Sequence, residues 1–382
     1  MTNNGVEIMV FRPSYAELRN FSEYVEYMES CGAHHGGIAK IIPPREWKPR
    51  KKGYGISNMH LKLQNPIQQY VTGRAGVYKL FHVSQKPVSV TAYSEMAKSA
   101  KYKPPKTDLT QAFWKNIRYA PPIYGADMPG SLFDDETWNF QKLGTILDCI
   151  EEDVGVTIAG VNTPFLYFGM WKSLFGWHIE DYSLYSINYL HFGSPKTWYS
   201  IPPKHGRRFE TLASSLFPVD AKECPAFLTH KSHLISPSVL RNYAIPCGEI
   251  VQNKGEIIVT FPFGYHAGFN QGFNCAESIN FASRRWIDYG KWANRCSCRK
   301  DTVTIEMDIF VKRFQPERYF LWKQGCERGS HPEDERPRSR FIPAKKRKTS
   351  FATVNLEHGK VARMNVNVPK WQPVILIERI FG

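Results

Sequence analysis

Leu18, Phe21, Val25 and Met28 recur at the spacing of one helical face. They follow a Ser14–Glu17 capping pattern and precede Gly32, so the sequence predicts an N-terminal helix with its stop. Leu143, Ile146, Leu147 and Ile150 form a second apolar face, which predicts a helix over about 138–153. The stretches 41–52 and 101–122 are rich in proline and lysine and read as irregular. From Val156 onward the pattern changes to short β-rich runs separated by Gly, Pro and Asn, among them 184–192, 197–201 and 256–261. One helical interlude, about 204–217, lies between them, and a last helix covers Met307 to Phe314 after starting near Thr302. Many short strands with turn signals predict a sandwich or barrel, and a jelly roll is the economical choice.

Charge changes the picture modestly. The 382 residues carry a formal net charge of +15, a balance suited to a polyanionic neighbourhood such as nucleic acid or chromatin. No run approaches membrane-spanning length, and the N-terminus lacks the charged-then-apolar pattern of a signal peptide. The expectation is an intracellular protein with no membrane partner, its cysteines free or metal-bound rather than disulfide-paired. The cluster Lys345-Lys346-Arg347-Lys348 reads either as a nuclear localisation signal or as a plain solvated charge run.

The sharpest chemistry is Trp177-His178-Ile179-Glu180-Asp181. In a strand, residues i and i+2 share a face, so His178 and Glu180 can present an imidazole and a carboxylate together. His266, in an aromatic and glycine-rich β context, is a third candidate. Two His and one carboxylate on one face of an octahedral ion form the triad of non-haem Fe(II) oxygenases, with positions left for a chelating co-substrate and oxygen. An isolated His-x-Glu is common, however, and the residues alone leave the matter there.

Beyond these residues the sequence resembles the JmjN/JmjC-domain histone lysine demethylases over about residues 8–325. Ile8-Met-Val-Phe-Arg-Pro-Ser14 and Gly36-Gly-Ile-Ala-Lys-Ile-Ile-Pro-Pro44 match JmjN. Gly160-Val-Asn-Thr-Pro164, Tyr167-Phe-Gly-Met-Trp171, Tyr185-Ser-Ile-Asn-Tyr-Leu-His191 and Gly264-Tyr-His-Ala-Gly268 match JmjC. The resemblance implies a mainly β protein with flanking helices (α+β). Its JmjC core would be a double-stranded β-helix, jelly-roll or cupin-like, with an N-terminal JmjN segment and a zinc-stapled helical C-terminal segment. It orders the chain as JmjN (8–50), a mixed linking region with a co-substrate tyrosine (51–135), the catalytic core with its zinc site (136–300), a helical segment (301–325) and a basic, disordered tail (326–382).

By the same resemblance, His178, Glu180 and His266 are Fe(II) ligands, Lys196 and Tyr124 hold the distal carboxylate of 2-oxoglutarate, and Asn188 lies beside it. Oxygen is the second co-substrate. The methyl-lysine pocket falls at Gly160, Tyr167, Glu180, Ser278 and Ile279. Cys224, His230, Cys296 and Cys298 form a closed tetrahedral set suited to structural zinc; buried cysteine is also commonly just a small apolar residue, and here the resemblance favours zinc. Cys31, Cys149, Cys247, Cys275 and Cys326 are read as unliganded.

The implied activity is oxidative demethylation of tri- and dimethyl-lysine on histone H3, with lysine nine favoured, in the nucleus. It would release formaldehyde, succinate and CO2. The partners are the methylated tail and its nucleosome, with non-specific DNA contact through the basic surface. Ile279 resembles the branch restricted to lysine nine and Ser278 the broader branch that also takes lysine thirty-six. Ala159, Phe165, Ile179, Tyr182 and Ser183 depart from the family pattern without removing a metal or co-substrate residue. The rival readings are a 2-oxoglutarate-dependent protein hydroxylase and a catalytically weak chromatin-binding scaffold.

Overall fold

The N-terminal helix is shorter than its apolar spacing predicts. In the computed structural model, which describes residues 5–334 apart from 57, 58, 297, 300 and 301, the Ser14 amide and hydroxyl both donate to the Glu17 carboxylate. That bond closes only a 3-10 turn, Glu17–Arg19. Asn20 then takes an extended conformation, accepts from the Glu23 amide and caps the true helix, Phe21–Ser30. Leu18, Phe21, Val25 and Met28 are all buried, so the apolar stripe marks the face correctly and misplaces the start. The predicted helix over 138–153 is likewise reduced to a 3-10 turn, Ile146–Asp148, and the helix Cys149–Val154. Left-handed backbone at Trp138 and Gly144 interrupts what precedes it. Within the stretch read as irregular, Asp108 caps a helix, Leu109–Asn116, whose Phe113 stacks on Phe269 at 4.0 Å. The interlude is a helix at Gly206–Leu216, and the C-terminal helix is Met307–Phe314, followed by Pro316–Lys323.

The strands are β1 (Val10–Phe11), β2 (Ile38–Ile41), β3 (Lys62–Leu63), β4 (Ile67–Arg74), β5 (Val77–Ser84), β6 (Val88–Ser89), β7 (Ile123–Pro129) and β8 (Phe165–Gly169). Then follow β9 (Leu174–His178), β10 (Tyr185–Gly193), β11 (Lys196–Ile201), β12 (His233–Ile235), β13 (Gly248–Gln252), β14 (Ile257–Thr260), β15 (Tyr265–Asn270) and β16 (Asn274–Phe281). One sheet has the order β1-β2-β14-β10-β16-β8-β7-β4-β5-β12 and the other β13-β11-β15-β9, while β3 pairs with β6. From β8 to β11 and from β13 to β16 the chain crosses between the two larger sheets at every connection, and the pairs within this core are antiparallel. That is the double-stranded β-helix. The predicted mainly β fold with flanking helices is the fold observed.

Two additions extend it. The N-terminal segment contributes β2, which joins the sheet against β14, and the hairpin β4–β5 extends the opposite end beyond β7. Large buried aromatics, including Trp177, Tyr185, Tyr199 and Phe269, fill the interior. Each contributes about 1.5–3 kcal/mol by leaving water. Residues beyond 334, including Lys345-Lys346-Arg347-Lys348 and most of the predicted tail, lie outside the described residues.

Candidate active site

β9 ends at His178, and its directly paired neighbour on β15 is His266. This register, not the sequence separation, brings the two imidazoles to a ring distance of 4.2 Å. Each is aimed in the same way. His178 Nδ1 meets the Gly176 carbonyl at 2.8 Å, and His266 Nδ1 meets the Gly264 carbonyl at 3.0 Å. A carbonyl can only accept, so both Nδ1 atoms carry a proton, and each ring is left to offer Nε2 as its ligand atom. The repeated Gly-x-His has a steric cause as well. A Cβ on Gly176 would meet the Lys231 carbonyl at 2.6 Å, and one on Gly264 would meet the Gly37 carbonyl at 2.4 Å.

Glu180 continues past β9 with extended backbone and turns its carboxylate toward both rings. Its Oε1 lies 3.9 Å from His178 Nε2 and 3.4 Å from His266 Nε2. Its Oε2 accepts from Asn280 Nδ2 at 3.1 Å, and the same Asn280 nitrogen donates to the Tyr185 carbonyl. Asn280, on β16, was not singled out from the sequence; its place two residues after Ser278 is the signal that could have found it. Burial pushes the His178 imidazole well below its ordinary value, and repulsion from His266 and Lys231 adds to this. Burial alone would raise Glu180, but its contact with His266 and the nearby Lys231 ammonium hold it well below the usual carboxylate range. Two imidazole nitrogens and one carboxylate oxygen, all within 4.8 Å of one another, fit a divalent iron with open coordination positions.

The same cavity, of about 400 Å³, is lined by Tyr124, Asn188 and Lys196 and also by Gly160, Tyr167, Ser278 and Ile279. Lys196 comes from β11, Asn188 from β10, Ser278 and Ile279 from β16 and Tyr167 from β8, so the cavity lies between the two sheets. Lys196 is 2% exposed, and burial pushes its ammonium down to about 7. It donates to Asn270 Oδ1 at 2.8 Å and lies 5.9 Å from the Tyr124 ring centre. Asn188 accepts from Gln252 through its backbone and side-chain oxygens. Gly160 needs its glycine: φ is +77°, and a Cβ would meet the Phe165 ring at 2.5 Å.

The second cluster gathers Cys224, His230, Cys296 and Cys298 within 4.8 Å. His230 Nε2 is 3.3 Å from both Cys296 Sγ and Cys298 Sγ, and those sulfurs are 3.1 Å apart. One nitrogen and three sulfurs converging on a point suit tetrahedral zinc. Of the departures, Phe165 and Ala159 line the cavity. Tyr182 and Ser183 form the left-handed turn after Glu180, where the Tyr182 carbonyl accepts from Trp286 Nε1. Ile179 is half-buried against the core.

A double-stranded β-helix that carries a His-Glu-His set is the frame of a non-haem Fe(II) oxygenase. Residues 165–281 match the family described as JmjC domain, hydroxylase, and residues 9–43 match the jmjN domain. The chain is 54% identical over 348 residues to lysine-specific demethylase 4D of Rattus norvegicus, covering 89% of this chain and 68% of that protein. It is 55% identical over 329 residues to lysine-specific demethylase 4B of Mus musculus, covering 85% of this chain and 30% of that one. Against the probable lysine-specific demethylase 4F of Homo sapiens it is 54% identical over 327 residues, covering 84% and 51%. The chain belongs to the lysine-specific demethylase 4 family of JmjN/JmjC dioxygenases.

Proposed function

We propose that this chain removes methyl groups from tri- and dimethyl-lysine of the histone H3 tail, lysine nine favoured, with 2-oxoglutarate and O2 as co-substrates. The carrying observation is that one cavity of about 400 Å³ contains the His-Glu-His set, the buried Lys196 and Tyr124, and the Gly160, Tyr167, Ser278 and Ile279 lining. In this reading His178, Glu180 and His266 hold Fe(II), and Cys224, His230, Cys296 and Cys298 hold zinc. Bound Fe(II), together with 2-oxoglutarate and O2, supplies the oxidising power that hydroxylates an N-methyl carbon, which then leaves as formaldehyde with succinate and CO2 as co-products.

The protein's own groups do the rest. Lys196 and Tyr124 pair with the distal carboxylate of 2-oxoglutarate, because a carboxylate taken out of water needs charge-assisted partners. Asn188 lies beside it. Asn280 fixes one Glu180 oxygen, so the other keeps a single orientation. Gly160 leaves room for the methylated side chain, and Asp127 and Asp181 line the same cavity. Ser278 and Ile279 border the same space. No nitrogen lone pair is required of the substrate, so trimethyl-lysine is accessible.

The setting follows from the same reading. Methylated tails are presented on nucleosomes in the nucleus, and a net charge of +15 favours non-specific contact with nucleosomal DNA. No helix among the described residues is long and apolar enough to cross a membrane. Formaldehyde and succinate measured together test the proposal. Wild type should release them in equal amounts on a trimethyl-lysine-nine H3 peptide, and His178→Ala should lose about a thousandfold or more of both. Succinate without formaldehyde would contradict demethylation.

A further inference from the structure

We propose that Asn270 is the positioning residue of the co-substrate carboxylate subsite, its uncharged amide orienting Lys196 without neutralising it. This rests on the reading that the cavity takes 2-oxoglutarate. Asn270 and Lys196 are register partners on β15 and β11, and both are buried, at 0% and 2% exposure. Lys196 Nζ donates to Asn270 Oδ1 at 2.8 Å. Asn270 also acts electrostatically on the buried Tyr124 phenol, opposing part of the burial that pushes it up.

The amide has only one workable orientation. Ser173 Oγ donates to the Met170 carbonyl at 2.8 Å, which spends its single proton. Its oxygen then accepts from the Met170 amide at 3.0 Å and from Asn270 Nδ2 at 2.9 Å. Asn270 Nδ2 donates to the Ser173 carbonyl as well, at 3.2 Å. With the nitrogen fixed toward Ser173, Oδ1 must face Lys196. There it also accepts from Asn274 Nδ2, which in turn donates to the Ser194 carbonyl. Space is kept for this group: a Cβ on Gly169 would meet Asn270 Cγ at 2.5 Å.

The choice of an amide has a physical consequence. A carboxylate at position 270 would form a buried ion pair with Lys196, and an incoming carboxylate would have to break that pair at a large cost. Sharing the ammonium with an uncharged amide oxygen leaves no opposite charge to displace, so the cost of admitting a carboxylate is smaller. The amide therefore holds the ammonium in place and leaves its charge available to an incoming carboxylate. Removing the amide would leave a buried cation without its partner.

The test is calorimetric titration of metal-loaded protein with 2-oxoglutarate under nitrogen, alongside steady-state kinetics and thermal melting. For Asn270→Asp, Kd and KM for 2-oxoglutarate should rise by about tenfold or more, while kcat at saturation falls less than about threefold. The melting temperature should hold or rise. Ser173→Ala, which releases the amide without touching the lysine, should raise Kd about threefold and serves if the Asp variant does not fold. Unchanged Kd in a folded variant, or a loss confined to kcat or to melting temperature, would reduce Asn270 to a packing residue and overturn the proposal. Wild type that binds no 2-oxoglutarate would overturn the reading of the cavity itself.

Discussion

Lys196 carries the most direct consequence at the scale of single residues. Its ammonium is pushed down to about 7 by burial, and a bound carboxylate would raise it again by restoring an opposite charge. Binding is therefore at full strength well below pH 7 and weakens progressively as pH rises from the free-site value toward the raised bound value. The Kd for 2-oxoglutarate should rise about fivefold between pH 7 and pH 8, measured by titration of metal-loaded protein. A flat profile over that interval would contradict the assignment of Lys196. The chemistry-bearing residues at this scale were legible where one motif contained them, as in His178-Ile179-Glu180. The repeated Gly-x-His at Gly176 and Gly264 was also in view but went unread, because its meaning depends on a carbonyl that faces the ring only in a strand. Asn270 carries no local signal of its function, and Asn280 carries only its place two residues after Ser278. Their partners come from other strands, and only the register decides which buried amide meets Lys196 and which meets Glu180.

At the scale of elements, the N-terminal segment reaches the site through its glycines. Gly37 has φ +80°, its carbonyl accepts from the Phe261 amide, and a Cβ there would meet Ser200 Oγ at 2.7 Å and the Ile201 carbonyl at 2.9 Å. The adjoining Gly264 supplies the carbonyl that orients His266. Gly37→Ala should therefore cost about 2 kcal/mol or more from left-handed strain and crowding. It should also weaken metal binding at a distance from the ion. Calorimetric melting and a metal titration check both, and a variant with wild-type melting and wild-type metal affinity would contradict the link. The strands of the core were legible because their β-rich runs are bounded by Gly, Pro and Asn. Helix starts were not: Ser14 with Glu17 forms the expected bonds yet closes only a turn, and the extended Asn20 sets the real beginning. The helix Leu109–Asn116 was hidden by flanking prolines and lysines, and what it buries, Phe113 on Phe269, is a tertiary contact.

At the scale of the whole molecule, two donor sets divide the work. The Cys and His cluster joins segments far apart in the chain, at 224–230 and 296–298, and the cavity lining includes Thr229, His230 and Arg299 from those segments. Cys296→Ser should lose zinc from about one ion per chain to a fraction of that and lower the melting temperature, because metal-binding energy is folding energy here. Elemental analysis and calorimetry read the two together; full zinc retention would show that the cluster does not need this sulfur.

The central claim concerns what leaves the substrate. Purified chain with Fe(II), ascorbate and 2-oxoglutarate should shorten a trimethyl-lysine-nine H3 peptide by successive methylene units in its mass spectrum, and His178→Ala should not. A peptide that instead gains one oxygen and keeps its methyl groups would contradict the demethylase account and make the chain a protein hydroxylase.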